Sequence, residues 1–119
     1  MIWINLPYAP SMNTYWRRGK FSTYLSPKGR EYKKLVADIV SETNVPKLGD
    51  ARLKVTLVIR PRSKRIFDID NCVKAVLDSL CEAGVFDDDS QVDDLHVMRG
   101  EPFKGGRVVV MLEVIDGNA

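Results

Sequence analysis

The segment from Arg107 to Ile115 constrains the fold most, because it is apolar on both of its faces for most of its length. A strand of this kind lies inside a sheet or is covered by another surface. We therefore expect it either to be central in a sheet or to form half of a contact between subunits. Val92 to Arg99 predicts another strand, and Ile2 to Leu6, where apolar and polar residues alternate, predicts a third.

The segment from Arg52 to Arg60 alternates with period two and predicts a half-buried strand that Pro61 ends. Its apolar side consists of Leu53, Val55, Leu57 and Ile59. The opposite side, which we expect to form a basic stripe on the sheet, consists of Arg52, Lys54, Thr56 and Arg60.

Two helices are predicted from apolar residues that recur at helical spacing. The first begins at Ser26-Pro27, since serine suits the N-cap and proline the first helical position, and it ends near Asn44 and Pro46. The second runs from about Asp70 to Glu82 and is followed by Gly84, a residue typical of helix ends. The apolar stripes are Tyr32, Leu35, Val36, Ile39 and Val40 in the first helix, and Val73, Val76, Leu77, Leu80 and Cys81 in the second.

The order of these elements is strand, hairpin, helix, strand, helix, strand, strand. It predicts an α+β fold in which two helices pack on a mixed β-sheet. A length of 119 residues indicates a single domain, residues 1–119. No apolar run approaches the about 20 residues that span a bilayer, and the first residues do not resemble a signal peptide. We therefore expect a cytoplasmic protein that does not contact a membrane.

The two cysteines, Cys72 and Cys81, are expected to be reduced and to pack as small apolar side chains. Because the chain has one histidine and no CxxC spacing, its sequence does not favour a zinc site. The single histidine, His96, lies in a predicted strand, and we assign it no catalytic role.

Charge is segregated along the chain although the net charge is only +2. Cations dominate from Arg17 to Lys34 and from Arg52 to Arg65, whereas acids dominate from Asp68 to Asp94. Segregated basic surface is typical of nucleic-acid binding. Two ordinary solvated faces are the alternative interpretation. Near Tyr15, Trp16 and Arg17, aromatic and basic residues alternate in a way that would suit stacking on bases or contact with phosphates, or simple packing in the core.

Asp68 and Asp70 lie two residues apart between the basic segment and the second helix, and Lys74 follows one turn later. On an extended backbone these two carboxylates point to the same side. Clustered carboxylates with open coordination positions suit Mg²⁺, which would also relieve their repulsion from each other and from a phosphate. Lys74 would stabilise charge on phosphoryl oxygens. The alternatives are a helix cap at Asp70 or Asn71, an exposed ion pair at Lys74, and a solvated turn at 87–89.

Three blocks of the sequence resemble the RusA family of Holliday-junction resolvases. They are Asp68-Ile-Asp70-Asn71-Cys-Val-Lys74, Asp78-Ser-Leu, and Gly84-Val-Phe-Asp-Asp88-Asp89-Ser-Gln91-Val. The stretches Pro10-Ser11-Met-Asn13-Thr-Tyr15-Trp-Arg17 and Lys104-Gly105-Gly106-Arg107 also match, so that the resemblance covers nearly the whole chain. It implies a small α+β homodimer, of a type often carried by prophages, which uses Mg²⁺ and no organic cofactor to cut four-way DNA junctions in recombination and repair.

The resemblance also implies roles for individual residues. Asp68, Asp70 and Asp89 would be catalytic acids that bind the metal, Lys74 would lie near the scissile phosphate, and Asp88 would be a neighbour. Relatives commonly carry a basic residue where this chain has Phe67. A phosphate contact at that place would come from Lys64 or Arg65 or be absent, and Phe67 could wedge against exposed bases. The expected DNA-binding residues are Asn13, Arg17, Arg60, Arg62, Lys64, Arg65 and Phe67.

The mechanism implied is attack of a Mg²⁺-activated water on a junction phosphodiester, with paired nicks placed symmetrically by a two-fold dimer. Basic residues of the first helix and of the Arg52–Arg60 strand would bind the DNA backbone without reading its sequence. Two alternatives remain at this stage. One is a DNA-binding protein without catalytic activity, and the other is a Mg²⁺-dependent nuclease that acts on flaps, forks or single strands.

Overall fold

A four-stranded mixed sheet with two helices packed against it forms the centre of the computed structural model, which describes residues 1–11, 16–18 and 23–115. The strands are β1 (Ile2–Leu6), β2 (Trp16–Arg18), β3 (Thr23–Leu25), β4 (Leu53–Arg60), β5 (Val92–Arg99) and β6 (Arg107–Val114). The helices are α1 (Pro27–Glu42) and α2 (Val73–Glu82), and short 3₁₀ turns precede α2 (Ile69–Cys72) and β5 (Asp89–Gln91). The predicted α+β class is confirmed.

The sheet has the strand order β1-β6-β4-β5, and β2 and β3 form a separate antiparallel pair. β6 is antiparallel to both of its neighbours, β1 and β4, whereas β4 and β5 are parallel. Of the two alternatives for the doubly apolar strand, the central position is therefore confirmed. The last two strands do not pair with each other, because each of them pairs with β4.

The core lies between the sheet and the two helices. The predicted apolar side of β4 is fully buried, with Leu53, Val55, Leu57 and Ile59 all at 0% exposure. Val108, Val110 and Leu112 of β6 continue this layer, and both helices cover it. One member of the predicted stripe of α1 is an exception, because Leu35 is 43% exposed. The buried residues of α1 are Gly29, Tyr32, Val36 and Val40.

The ends of the helices follow the predicted chemistry with one correction. The Ser26 hydroxyl accepts a hydrogen bond from the Gly29 amide at 3.0 Å, and Pro27 is the first helical residue. Gly84, with φ +84°, lies just after the end of α2. The predicted start of α2 at Asp70 is wrong by three residues, since the chain makes a 3₁₀ turn there and the α-helix begins at Val73.

Both cysteines are free, as expected. Cys72 is buried and Cys81 is partly buried, and desolvation raises the pKa of each thiol to about 11. They therefore stay protonated near neutral pH. No helix in the described ranges combines the length and the apolar character needed to cross a membrane.

The second face of the sheet, which we call the open face, carries an accessible apolar band. The strand register aligns Trp3 with Met111 of β6, and it aligns Val58 with Val109 on one side and Met98 on the other. Trp3 is 65% exposed and Met98 is 47% exposed. His96 also lies on this side of β5, where its ring nitrogen is 2.9 Å from a carboxylate oxygen of Asp94.

The turn before β6 generates a test of the packing. Gly105 and Gly106 both have positive φ, +83° and +76°, but only a Cβ on Gly106 would meet a neighbour, the Tyr8 ring carbons and Cβ at 2.7–2.8 Å. We expect Gly105→Ala to lower the free energy of unfolding by about 1 kcal/mol, which is the backbone cost. Gly106→Ala adds the clash and should lower it by roughly 2–4 kcal/mol. Urea denaturation would measure both, and equal losses would contradict the contact with Tyr8.

Candidate active site

The first two predicted acids lie on the segment that enters α2. Asp68 has extended backbone angles (φ −85°, ψ 123°), and its carbonyl accepts a hydrogen bond from the Asn71 amide at 3.2 Å. Asp70 lies within the 3₁₀ turn. Both residues are exposed, and neither carboxylate forms an ion pair with another described residue. Asp68 also lines a small cavity of about 90 Å³ together with Tyr8 and Cys72.

Lys74 joins α2 to the segment that precedes β5. Its ammonium lies 2.8 Å from a carboxylate oxygen of Asp89 and 3.0 Å from one of Asp78, which is one turn further along the same helix. Both acids are partly shielded, with side-chain exposures of 31% for Asp89 and 19% for Asp78. The structure thus brings together two of the predicted site residues, Lys74 and Asp89, which are 15 positions apart in the chain.

A buried glutamine holds Asp89 in place. The side-chain oxygen of Gln91 accepts hydrogen bonds from the Asp87 and Asp88 amides at 3.1 and 2.9 Å. Its amide group donates to the carbonyls of Gly49 and Ala51. The carboxylate of Asp88 accepts from the Ser90 amide at 3.0 Å and completes a capping box. The acidic segment is therefore a capped and anchored turn, in which Asp88 caps and Asp89 faces Lys74.

The electrostatics of this region are dominated by its carboxylates. Hydrogen bonds to Asp89 and then to Asp78 raise the pKa of Lys74, so that this side chain is fully protonated at any physiological pH. The side-chain hydrogen bond from Ser90, and then the backbone hydrogen bond from the same residue, lower the pKa of Asp88. Lys74 offsets one charge of the Asp78–Asp89 pair, and Asp68 and Asp70 add two more negative charges on the approach to α2.

The chemistry of these donors fits a hard divalent cation, because carboxylate oxygens are the ligands that Mg²⁺ takes from proteins. In the described part of the chain, however, no three His, Cys, Asp or Glu side chains are already arranged to hold a metal ion. The Lys74 ammonium is the cation that contacts Asp89 instead. A metal that used Asp68, Asp70 and Asp89 would share the Asp89 carboxylate with this ammonium, which contacts one of its two oxygens, or would compete with it.

Arginines stacked on aromatic rings form a basic edge that reaches Phe67, the residue before Asp68. We use the term arginine edge for Arg60, Arg62, Arg99 and Arg107. Arg60 and Arg107 lie over the ring of Phe103, Arg62 over that of Tyr8 and Arg99 over that of Phe67. Their guanidinium carbons are 4.1 to 5.3 Å from the centres of these rings. None of the four forms an ion pair with a carboxylate among the residues that the structure covers. Their positive charge is therefore not neutralised from within the described chain.

The remaining predicted DNA-binding residues fall into two groups. Lys64 and Arg65 are exposed and line a cavity of about 310 Å³ together with Phe67 and Arg99. Phe67 is partly buried against the core, and Arg99 covers one face of its ring. Asn13 lies outside the described residues, and so does the side chain of Arg17, whose backbone belongs to β2.

The sequence did not point to Arg99, Tyr8 or Phe103, and it included Arg107 only in a stretch that matches the family, without a role. Arg60 and Arg107 are partners in the register of β4 and β6, and Arg99 is the partner of Ile59 at the same end of β5. Arg60 and Arg99 each end a predicted strand and Arg107 begins one, and this position is the signal that the sequence offers. Only the order of the strands shows that these three arginines lie close together in space.

The chain was also compared with known proteins. The family model described as Endodeoxyribonuclease RusA matches residues 7–113. The chain is 39% identical over 111 residues to "Crossover junction endodeoxyribonuclease rusA" of Enterobacteria phage HK97, which covers 93% of this chain and 92% of that protein. It is 36% identical over 106 residues to the protein of the same name from Escherichia coli (strain K12), with 88% of each chain covered.

The contact between Lys74 and Asp89 predicts competition between two cations. In Lys74→Ala, a divalent cation bound to Asp89 no longer lies beside a positively charged ammonium. Two unit charges about 4 Å apart interact by ~1 kcal/mol in water, which corresponds to about fivefold in affinity. We therefore expect Mn²⁺ to bind Lys74→Ala at least about fivefold more tightly than the wild type in the absence of DNA, as measured by electron paramagnetic resonance.

Lys33→Ala is the matched control, because it removes the same charge from an ion pair with Glu82 at 3.8 Å. We expect this variant to bind Mn²⁺ like the wild type. An unchanged affinity in Lys74→Ala would mean that Asp89 is not a ligand. A similar gain in both variants would mean that the effect comes from the change in net charge alone.

Proposed function

We propose, since the chain belongs to the RusA family of endodeoxyribonucleases, that it is a structure-specific nuclease that resolves four-way (Holliday) junctions in DNA. The observation that carries this proposal is the acidic site around Lys74, which lies within the matched region, together with the arginine edge, which contacts Phe67, the residue before Asp68. An acidic site that attracts a divalent cation and a basic surface that attracts phosphates are the two parts that a nuclease requires. The predicted cytoplasmic location is part of this proposal.

Asp68, Asp70 and Asp89 would hold the divalent cation, and we propose Mg²⁺ as the ion used. This assignment is supported by the preference of Mg²⁺ for carboxylate oxygens and by the exposure of Asp68 and Asp70 on the segment that leads into α2. When bound, such an ion polarises the phosphoryl group and makes water a stronger nucleophile. The capped turn around Gln91 limits how far Asp89 can move, so Asp68 and Asp70, on the exposed segment, would do most of the adjusting.

Lys74 would stabilise the negative charge that develops on the phosphoryl oxygens. Its ammonium has two carboxylate partners, and only one of them, Asp78, lies on the same helix. With Asp89 among the ligands of the metal, Asp78 would keep Lys74 on the side of α2 that faces the site. We therefore assign Asp78 the role of a positioning residue and Lys74 that of a catalytic residue.

DNA would bind along the basic side of the molecule through Arg60, Arg62, Lys64 and Arg65. Arg60 and Arg62 are held by the rings of Phe103 and Tyr8, so that less side-chain entropy is lost when they contact phosphate. Contacts of this kind make the affinity depend steeply on salt and do not read sequence. Asn13 and Arg17 remain predictions, as does a wedge role for Phe67.

A homodimer would complete the enzyme, with the open face as its interface. The strand register places Trp3 beside Met111, and Val58 between Val109 and Met98, so that these apolar side chains share the open face. A second copy of the chain is the occupant we propose, because two like cuts across a junction require two sites related by a two-fold axis. The site around Lys74 remains accessible in such an arrangement, since α2 packs on the other face of the sheet, whereas Arg60 and Arg107 lie at the end of the open face itself.

A cleavage assay on a labelled four-way junction tests the proposed function. Denaturing gels would compare Mg²⁺ with EDTA, and the junction with linear duplex, a flap and a fork of the same sequence. We expect paired, symmetric nicks in the junction alone and only with Mg²⁺. Binding without cleavage would indicate a DNA-binding protein without catalytic activity, and equal cutting of the other substrates would remove the junction specificity.

Substitution of the acids tests the metal assignment. Asp68→Asn, Asp70→Asn and Asp89→Asn each remove one anionic ligand and should reduce cleavage at least about 100-fold, the scale expected when an essential electrostatic contribution is lost. Junction affinity should stay the same or increase, because each change removes negative charge that would face phosphate. Asp38→Asn, on the exposed side of α1, is the control and should cut normally. Normal cleavage by all three site variants would refute the assignment.

Substitution on the open face tests the dimer. Trp3→Lys places a charge in the apolar band and should give a monomer by light scattering after gel filtration. We expect this variant to lose paired nicks while it keeps its fold by circular dichroism. Leu35→Lys changes an exposed apolar residue on α1 and should remain dimeric. A dimeric Trp3→Lys would place the interface elsewhere.

A further inference from the structure

Arg99 is fixed against the residue that precedes the first predicted catalytic acid. Its guanidinium carbon lies 4.2 Å from the centre of the Phe67 ring, and one of its nitrogens donates to the Phe67 carbonyl at 2.8 Å. A stacked and hydrogen-bonded guanidinium has a defined plane and direction. Because Asp68 follows Phe67 directly, the position of Arg99 is tied to the position of this acid.

The backbone also holds the end of β5 against the segment that leads to the acids. The Gly100 amide donates to the Ile59 carbonyl at 2.8 Å, and the Phe103 amide donates to the Pro61 carbonyl at 2.9 Å. A Cβ on Gly100 would come within 2.8 Å of a methyl carbon of Val58, so glycine permits this close approach. Arg99 therefore stands at a fixed point of the fold and not on an independent loop.

The space beside Arg99 is basic and open to solvent. The cavity of about 310 Å³ is lined by three cations, Lys64, Arg65 and Arg99, and by one acid, Glu101. Within the described residues, none of these cations forms an ion pair with Glu101. Of the five N–H donors of the Arg99 guanidinium, the Phe67 carbonyl occupies one, and the others are sufficient for two parallel bonds to a phosphate.

A second arginine close to the same strand behaves differently. Arg52, just before β4, donates to the carboxylate of Asp93 on β5 and to the Ser90 carbonyl. Its charge is neutralised within the protein, whereas no carboxylate of the described residues pairs with Arg99. A purely structural role would be served equally well by the Arg52 arrangement, so the absence of such a partner for Arg99 among the described residues points to an external anion.

We propose that Arg99, together with Lys64 and Arg65 of the same cavity, binds a DNA phosphate close to the scissile phosphate. Phe67 acts as the platform that orients the guanidinium. This inference rests on the proposed function, because the anion is a DNA phosphate. It adds to that function a binding residue on β5 that is separate from the predicted basic segment of residues 60–65.

The salt dependence of junction binding tests this role without any cleavage. Affinity would be measured in EDTA at several salt concentrations for the wild type, Arg99→Gln and Arg99→Lys. The loss of one phosphate contact should reduce the slope of log K against log salt by about 0.9 for each subunit in the complex. We expect this reduction in Arg99→Gln and a return to the wild-type slope in Arg99→Lys. A merely structural Arg99 would change the thermal stability and leave the slope unchanged.

Arg52→Gln is the matched control and should keep the wild-type slope, since its charge is already paired with Asp93. A second measurement requires no substitution. Phenylglyoxal modification of the wild type, mapped by mass spectrometry, should spare Arg99 when junction DNA is bound and modify it in free protein. An unchanged slope in Arg99→Gln, or equal modification of Arg99 with and without DNA, would overturn the proposal.

These results separate this inference from the proposed function. A wild type that binds junctions but never nicks them would refute the nuclease and leave the contact at Arg99 to be decided by the slope. A wild type that nicks junctions while Arg99→Gln keeps the full slope would refute the contact alone. Failure of the wild type to bind any DNA would refute both before a variant is compared.

Discussion

The parallel pairing of β4 with β5 is the constraint on which both parts of the candidate site depend. Parallel neighbours require a crossover, and here the crossover contains α2, so the chain must pass Lys74 along the helix and return to Asp89 before β5 begins. The same pairing brings the ends of the two strands together, which places Arg60 and Arg99 at one edge. Asp89, just before β5, is thereby separated from Arg99 by the length of that strand, whereas Phe67, next to Asp68, contacts Arg99.

Much of the fold could be predicted because its signals are local. The alternation from Leu53 to Ile59 predicts a strand with one buried side, and Ser26 predicts the start of a helix. Each pattern involves only residues close together in the chain, and the structure agrees with both. The 3₁₀ turn at Asp70 was missed, since helical periodicity does not distinguish an α-helix from the tighter turn that leads into it. The partners of β6 were left open, because apolar faces indicate burial and not which strand provides it.

The candidate site divides in the same way. The contact between Lys74 and Asp78 follows from their spacing on one helix, whereas the contact between Lys74 and Asp89 spans 15 positions and no local pattern contains it. The family resemblance, and not the chemistry of the residues, pointed to Asp89. Neither approach identified Arg99. Its position depends on a contact with Phe67, which lies 32 positions away and is itself a departure from the family pattern.

The ammonium of Lys74 gives this protein an internal counter-ion, and this affects how its folding responds to metal. In proteins whose carboxylates or thiolates have no other partner, the binding energy of the metal becomes folding energy, and chelation unfolds the chain. Here Asp89 and Asp78 are satisfied by Lys74 before any metal arrives. The turn that carries Asp89 therefore does not need a metal to fold, so that, under the proposed function, a cell short of divalent cations is expected to accumulate folded protein that becomes active when the ion returns.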